Sequence, residues 1–201
     1  VVGLRLKLDL QGEPTLQLED VRDKKSIATT RSFDHNYKDL TLIKERVASF
    51  AVSCAEKLRR QHCCCQSVMV FLHTNGFRED QPQYSKNIVI KLPFATNSSI
   101  EIVKFAVMGL EQIFREGYGY KKAGVIVSDF SPEGNQQLTL FDSRNVKHIE
   151  LIKAVDNINR SRGQQKVRLA AQEPGRAWKM KQERLSPRYT TNLNEIITVS
   201  T

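Results

Sequence analysis

The chain has 201 residues, of which 40% are hydrophobic, and carries 31 Lys and Arg against 22 Asp and Glu, a formal charge of +9. That is enough apolar material for one or two compact domains, and the basic surplus suits a polyanionic partner, either nucleic acid or an anionic membrane surface. No run approaches the roughly 20 apolar residues of a membrane-spanning helix, and no basic-then-apolar leader opens the chain, which starts at Val1 and reads as a piece of a longer protein.

Val1 to Leu10 reads as the tail of a helix, broken by Gly12 and Pro14 because both residues stop regular structure. Lys25 to Phe33 is short and rich in Thr, Ser and Ile, a strand pattern. From Asp39 to Gln61 the apolar residues Leu40, Ile43, Val47, Phe50, Ala51, Cys54 and Leu58 recur every three or four positions, one stripe along a helix. Lys44, Glu45 and Arg46 fall off that stripe. Cys63, Cys64 and Cys65 suit no disulfide framework and no paired zinc spacing, so with Cys54 they read as reduced cytosolic thiols near a helix end.

Ser67 to Thr74 is a continuous apolar run and Lys86 to Leu92 a second strand, with a turn at Asn75-Gly76 between them. Asn97, Ser98 or Ser99 can cap the next helix, whose buried face would be Ile100, Val103, Ala106, Val107, Leu110, Ile113 and Phe114, with Gly117 just past its end. Tyr120 to Phe130 reads as a strand followed by a turn from Ser131 to Asn135. Beyond it, Val146 to Asn159 suits a short helix using Ile149, Ile152, Val155 and Ile158, and Val167 to Ala171 a short strand. Between Arg160 and Arg188, nine Lys or Arg stand against two Glu. With so few large apolar residues, this tail is expected to fold only by docking on something.

Strand, helix, strand, strand, helix, strand predicts an α+β domain of two layers over residues 24–131, with a four-stranded sheet, two helices on one face and the other face open. The remaining segments are expected to be residues 1–23, a helix end and linker; residues 132–145, a short connecting segment; and residues 146–201, a basic C-terminal extension.

No arrangement of catalytic groups emerges. Asp9, Glu13, Glu19, Asp20 and Asp23 cluster in a linker rather than as the paired carboxylates of a metal-dependent transferase. Gly117-Tyr118-Gly119 is better read as a helix stop than as a phosphate loop, so no catalytic or metal site is assigned and the chain is read as no enzyme by itself. Two features remain. Lys24 and Lys25 at the first strand, with Lys121 and Lys122 at the last, either form a patch for DNA phosphates or are the lysines of a solvated sheet edge. Gln136 to Asp142 places Leu140 beside Phe141, which a regular strand would send to opposite faces. The segment suits either a short fifth strand or an extended peptide that puts both side chains into one partner pocket.

Several segments together resemble the C-terminal part of Y-family DNA polymerases of the UmuC type. Gly12 to Glu19 resembles the linker after that family's thumb, and Arg31-Ser32-Phe33 the end of the first strand of its little-finger domain. Ala55 to Arg59 resembles the first little-finger helix, Lys121 to Val125 a basic-basic-x-Gly-Val pattern on its last strand, and Leu185 to Thr191 the family's ending. The resemblance implies that Val1 to Leu10 ends the thumb and that an open sheet face sits in the major groove of primer-template DNA. It also implies phosphate contacts from Lys24, Lys25, Arg31, Lys121 and Lys122. Gln137-Leu138-Thr139-Leu140-Phe141 resembles the bacterial clamp-binding pentapeptide, with Gln137 anchoring the motif and Leu140 and Phe141 filling an apolar cleft on the sliding clamp. The catalytic carboxylates and their Mg2+ would belong to a palm upstream of Val1, leaving this segment without a cofactor. A UmuD-type accessory subunit and a recombinase filament are implied partners, in the bacterial cytoplasm at the nucleoid and with no membrane. The rival readings are a sequence-tolerant RNA-binding module and a protein-interaction scaffold with a basic tail.

Overall fold

A computed structural model describes residues 2–15, 23–134, 147–163, 166–172 and 185–196. The elements run α1 (Val2–Leu10), β1 (Ile27–Tyr37), α2 (Leu40–Arg60), β2 (Cys63–Thr74), β3 (Ser85–Thr96), α3 (Ser99–Ile113), β4 (Tyr120–Pro132) and α4 (Lys147–Arg162). The strands form one sheet in the order β1-β4-β2-β3, with every neighbouring pair antiparallel. The expected α+β layering is therefore what forms, with α2 and α3 side by side on one face.

The helices sit where local chemistry starts and stops them. Asp39 caps α2, its carboxylate accepting the Thr41 amide at 2.7 Å and so satisfying one of the donors that a helix start leaves free. The apolar stripe of α2 buries Ile43, Val47, Ala51, Cys54 and Leu58, and α3 adds Ile102, Ala106 and Leu110. Beneath them lie Val68, Val70 and Leu72 of β2 with Ala123, Val125 and Val127 of β4, all fully buried. Gly109 lets α3 come down onto β3, since an added Cβ there would stand 2.9 Å from the Ile90 side chain.

Several local expectations need correction. Arg46 is buried rather than facing solvent. Its guanidinium donates to the Tyr37 hydroxyl and lies 4.4 Å from the Tyr37 ring centre and 5.6 Å from that of Phe33, so cation–π stacking and a hydrogen bond replace the water that the pattern implied. The three adjacent cysteines do follow the end of α2, but they open β2 rather than a loop, and Cys64 and Cys65 are both buried. Burial pushes the Cys65 thiol up to about 12, the behaviour of an inert core thiol. At α3 the amide of Ser98, the capping position, donates to Thr96 Oγ1 at 3.1 Å, and the Ser98 side chain makes no cap bond. Gly117 lies four residues beyond Ile113, in a turn at φ 89°.

Downstream, Val167 to Ala171 forms bends and turns rather than a strand. The Asn159 side chain brackets the Val167 backbone, donating to its carbonyl and accepting its amide at 2.9 Å each, so a side-chain amide supplies what a neighbouring strand would have. Of the four residues proposed for the buried face of α4, Ile152 is buried while Ile149 and Ile158 are exposed. The helix docks largely by charge. Arg59 of α2 grips the Asp156 carboxylate at 2.6 and 2.8 Å and also donates to the Asn97 carbonyl at 2.7 Å, a two-pronged geometry particular to arginine.

The tightest approach across the sheet is at Gly124, where an added Cβ would lie 2.5 Å from the Phe71 ring and 2.6 Å from the Thr30 methyl. Gly124→Ala is expected to lower stability by about 1–3 kcal/mol through overpacking, read as a fall in the urea midpoint. Gly109→Ala, which meets the flexible end of Ile90 and gains helix propensity, should change it by less than about 1 kcal/mol.

Candidate nucleic-acid interface

Strand alternation divides the sheet residues between two faces. The register pairs Val70 with Val125 and Ile88, and Val68 with Val127 and Ile90, on the helix side. The opposite face therefore carries Ala28, Thr30 and Ser32 from β1, Lys122, Gly124, Ile126 and Ser128 from β4, Ser67, Met69, Phe71 and His73 from β2, and Asn87, Val89 and Lys91 from β3. The helices α2 and α3 both pack on the other side. The middle of the open face is small or apolar, with the Phe71 ring lying over Gly124 beside Thr30 and within 4.8 Å of the His73 ring. Two cations stand on this face: Lys122, near the start of β4, is exposed and paired in register with Ser32 and His73, and Lys91, midway along the edge strand β3, is exposed and paired with Ser67.

The residues expected to touch DNA do not form one patch. Because β1 and β4 are antiparallel, Ser32 lies opposite Lys122 while Ile27 lies opposite Val127. Lys24 and Lys25 precede Ile27, so they lie beyond a stretch of five strand residues, about 17 Å, that separates Ile27 from the level of Lys122. Lys24 is held there by its backbone, its carbonyl accepting from Gln61 Nε2 at 2.9 Å. Lys121 falls at an irregularity between β1 and β4, and its ammonium donates to the Asp34 carbonyl at 2.9 Å. Arg31 pairs with Ala123 and so belongs to the helix-side register, exposed because β1 is an edge strand. Of the five cations, Lys122 is the one on the open face.

Lys91 and His73 were not singled out from the sequence, although both have a period-2 signal. Their strands were legible, but which parity faces away from the helices is set by pairing. One carboxylate also borders this face: Asp129 adopts φ 56°, uncommon for a residue with a side chain, and accepts a hydrogen bond from Ser67 Oγ. Gln137, Leu138, Leu140 and Phe141 lie outside the described residues. Among the described residues there is no group of three or more His, Cys, Asp or Glu placed to hold a metal ion, and no helix is long and apolar enough to cross a membrane.

The geometry defines an α+β domain with a helix-covered face and an open, sparsely cationic one. Comparison with known proteins gives it a family. Residues 24–140 match the impB/mucB/samB family C-terminal domain, and residues 150–199 match a domain of unknown function, DUF4113. The chain belongs to the impB/mucB/samB family. It is 36% identical to Protein UmuC of Salmonella typhimurium over 99% of this chain and 48% of that protein. It is 38% identical to Protein ImpB of the same organism over 98% of this chain and 47% of that protein. With Protein MucB of Escherichia coli the identity is 36% over 98% and 47%. The chain thus spans about half the length of the curated relatives it matches. A solved structure titled "Insertion ternary complex of Dbh DNA polymerase" shows a loose likeness, with TM-score 0.42 and 16% identity over 64% of this chain and 35% of that one, too low to bear on fold or function.

Burial, and then the nearby Lys122 ammonium, push the His73 imidazole below its ordinary value. Its neutral form therefore favours the folded state. That contribution is complete above the ordinary histidine range near pH ~6.5 and is lost as pH falls through the lowered value. Unfolding free energy is expected to drop on acidification below about pH 6.5, and His73→Gln should flatten that part of the profile in urea titrations at stepped pH.

Proposed function

We propose that this chain is the DNA-gripping and clamp-tethering C-terminal part of an error-prone translesion DNA polymerase of the Y family, acting in DNA damage tolerance. The observation that supports it best is the open sheet face bearing Lys122 and Lys91, in a chain that belongs to the impB/mucB/samB family. A duplex laid on this face would meet small and apolar side chains on the central strands, with ammonium groups from Lys122 near the start of β4 and from Lys91 on the edge strand β3. Contacts of that kind go to phosphates and ignore sequence. A lesion-bypass polymerase needs such a grip, because it must hold damaged templates of any sequence.

In this reading the chain carries no chemistry of its own. The catalytic carboxylates and Mg2+ belong to an upstream palm, and this part holds primer-template DNA while synthesis proceeds. Gln137-Leu138-Thr139-Leu140-Phe141 follows the domain in sequence and tethers it to the sliding clamp. Burying Leu140 and Phe141 gives roughly 3–6 kcal/mol before ordering costs, the strength of a weak tether that raises local concentration. The C-terminal extension is the proposed meeting point with a UmuD-type subunit and the recombinase filament, and the setting is the bacterial nucleoid. A single-stranded RNA module is less well supported, because Phe71, the aromatic ring of the open face in register, is buried against Gly124 and Thr30 rather than presented for base stacking.

Two measurements test this reading. Lys122→Glu should weaken primed-DNA binding about tenfold and reduce the slope of log affinity against log salt by about 1, whereas Lys121→Glu should do less because that ammonium is already engaged with the Asp34 carbonyl. Equal affinity of Lys122→Glu and the unchanged chain in fluorescence anisotropy refutes the DNA surface. Replacing both Leu140 and Phe141 with Ala should abolish binding to an immobilised clamp while leaving DNA affinity intact, and retained clamp binding refutes the tether.

A further inference from the structure

The hairpin between β2 and β3 holds Phe77 at 97% exposure, the highest value among the exposed large apolar side chains described. The loop around it is firmly built. Gln83 Nε2 donates to the carbonyls of Asn75, Arg78 and Gln81 at 3.1, 2.7 and 3.1 Å. The Asn75 side chain accepts the Phe77 amide at 3.2 Å, and Arg78 clasps Asp80 at 2.8 Å through two nitrogens. Gln81 ties the loop to β1 by accepting from Asn36 Nδ2 at 3.0 Å. A phenyl group fixed in water on so braced a loop is already in a binding conformation and loses little freedom when a partner covers it.

Its position suggests the partner. The last open-face residue of β2 is His73, paired in register with Lys122 and with Ser85, and the hairpin continues beyond that end of the sheet. Met69, Phe71 and His73 form a row along β2 that leads toward it. Around the phenyl, Glu79 and the Arg78–Asp80 pair leave no net positive charge to hold a phosphate. The loop offers a flat apolar surface instead, which suits the face of a base. Bases within a duplex are already stacked, so the free face belongs to an unpaired base.

We propose that Phe77 stacks on an unpaired base of single-stranded template leaving the duplex held on the open sheet face. This rests on the DNA-gripping reading above. Stacking of this kind tolerates any base, since every base has a π-face, and adds grip without adding charge.

The test uses the whole 201-residue chain with two labelled DNAs, a blunt duplex and the same duplex with a single-stranded template overhang. Phe77→Ala should lose about five- to tenfold affinity for the overhang DNA, with an unchanged salt slope, and lose nothing for the blunt duplex. Phe77→Trp should keep overhang affinity, with its fluorescence quenched by the overhang DNA and not by the duplex. The thermal midpoint of either variant should match the unchanged chain. Equal affinities for Phe77→Ala and the unchanged chain on both DNAs overturn the proposal and point to an apolar pocket on a protein. Equal losses on both DNAs overturn it too. If Lys122→Glu weakens both DNAs while Phe77→Ala weakens neither, the DNA reading stands and this inference alone falls. If the unchanged chain binds neither DNA, both fall.

Discussion

The floor of valines under the two helices governs the rest of this molecule. Val68, Val70, Val125 and Val127 are fully buried on two central strands, and α2 and α3 supply the matching stripes of Ile43, Val47, Ala51, Ile102 and Leu110. Apolar surface removed from water is the main driving term for a domain of this size, and here it lies on one side of the sheet. The alternation of a strand then makes the other side a surface by necessity. What a partner meets on the open face is set by which residues the floor leaves over.

Those leftover residues are neither a second core nor a uniformly charged plate. The Phe71 ring occupies the space above Gly124 that a side chain would fill. The cations are Lys122 near the start of β4 and Lys91 midway along the edge strand β3, and Asp129, at positive φ, accepts from Ser67. A centre of small and apolar side chains with sparse charge is the surface on which the proposed grip on a nucleic-acid backbone rests.

The C-terminal extension is joined to the domain by a different force. α4 buries Ile152, faces Glu101 of α3 with His148 at 3.7 Å, and is held by the Arg59 guanidinium, which reaches Asp156, the Asn97 carbonyl and the Ser99 hydroxyl. Both Arg59 and Asp156 are largely sheltered from water, where a charge-assisted pair is worth more than at the surface. One arginine thus couples the end of α2, the start of α3 and the domain of unknown function that follows.

The order of elements and the amphipathic stripe of α2 were legible in the sequence, because each depends on near neighbours along the chain, whereas the Asp39 cap emerged only from the structure. Helical and strand periodicities report which residues are apolar together. The resemblance to the family was legible too, in short runs such as Lys121 to Val125. What tertiary structure alone decided depends on residues far apart. Pairing of β1 with β4 placed Lys25 and Lys122 at opposite ends of the sheet, pairing of Arg31 with Ala123 put that arginine in the helix-side register, and a partner from β1 drew Arg46 indoors. Periodicity says that a strand has two faces, but only the neighbours it acquires on folding decide which face meets water.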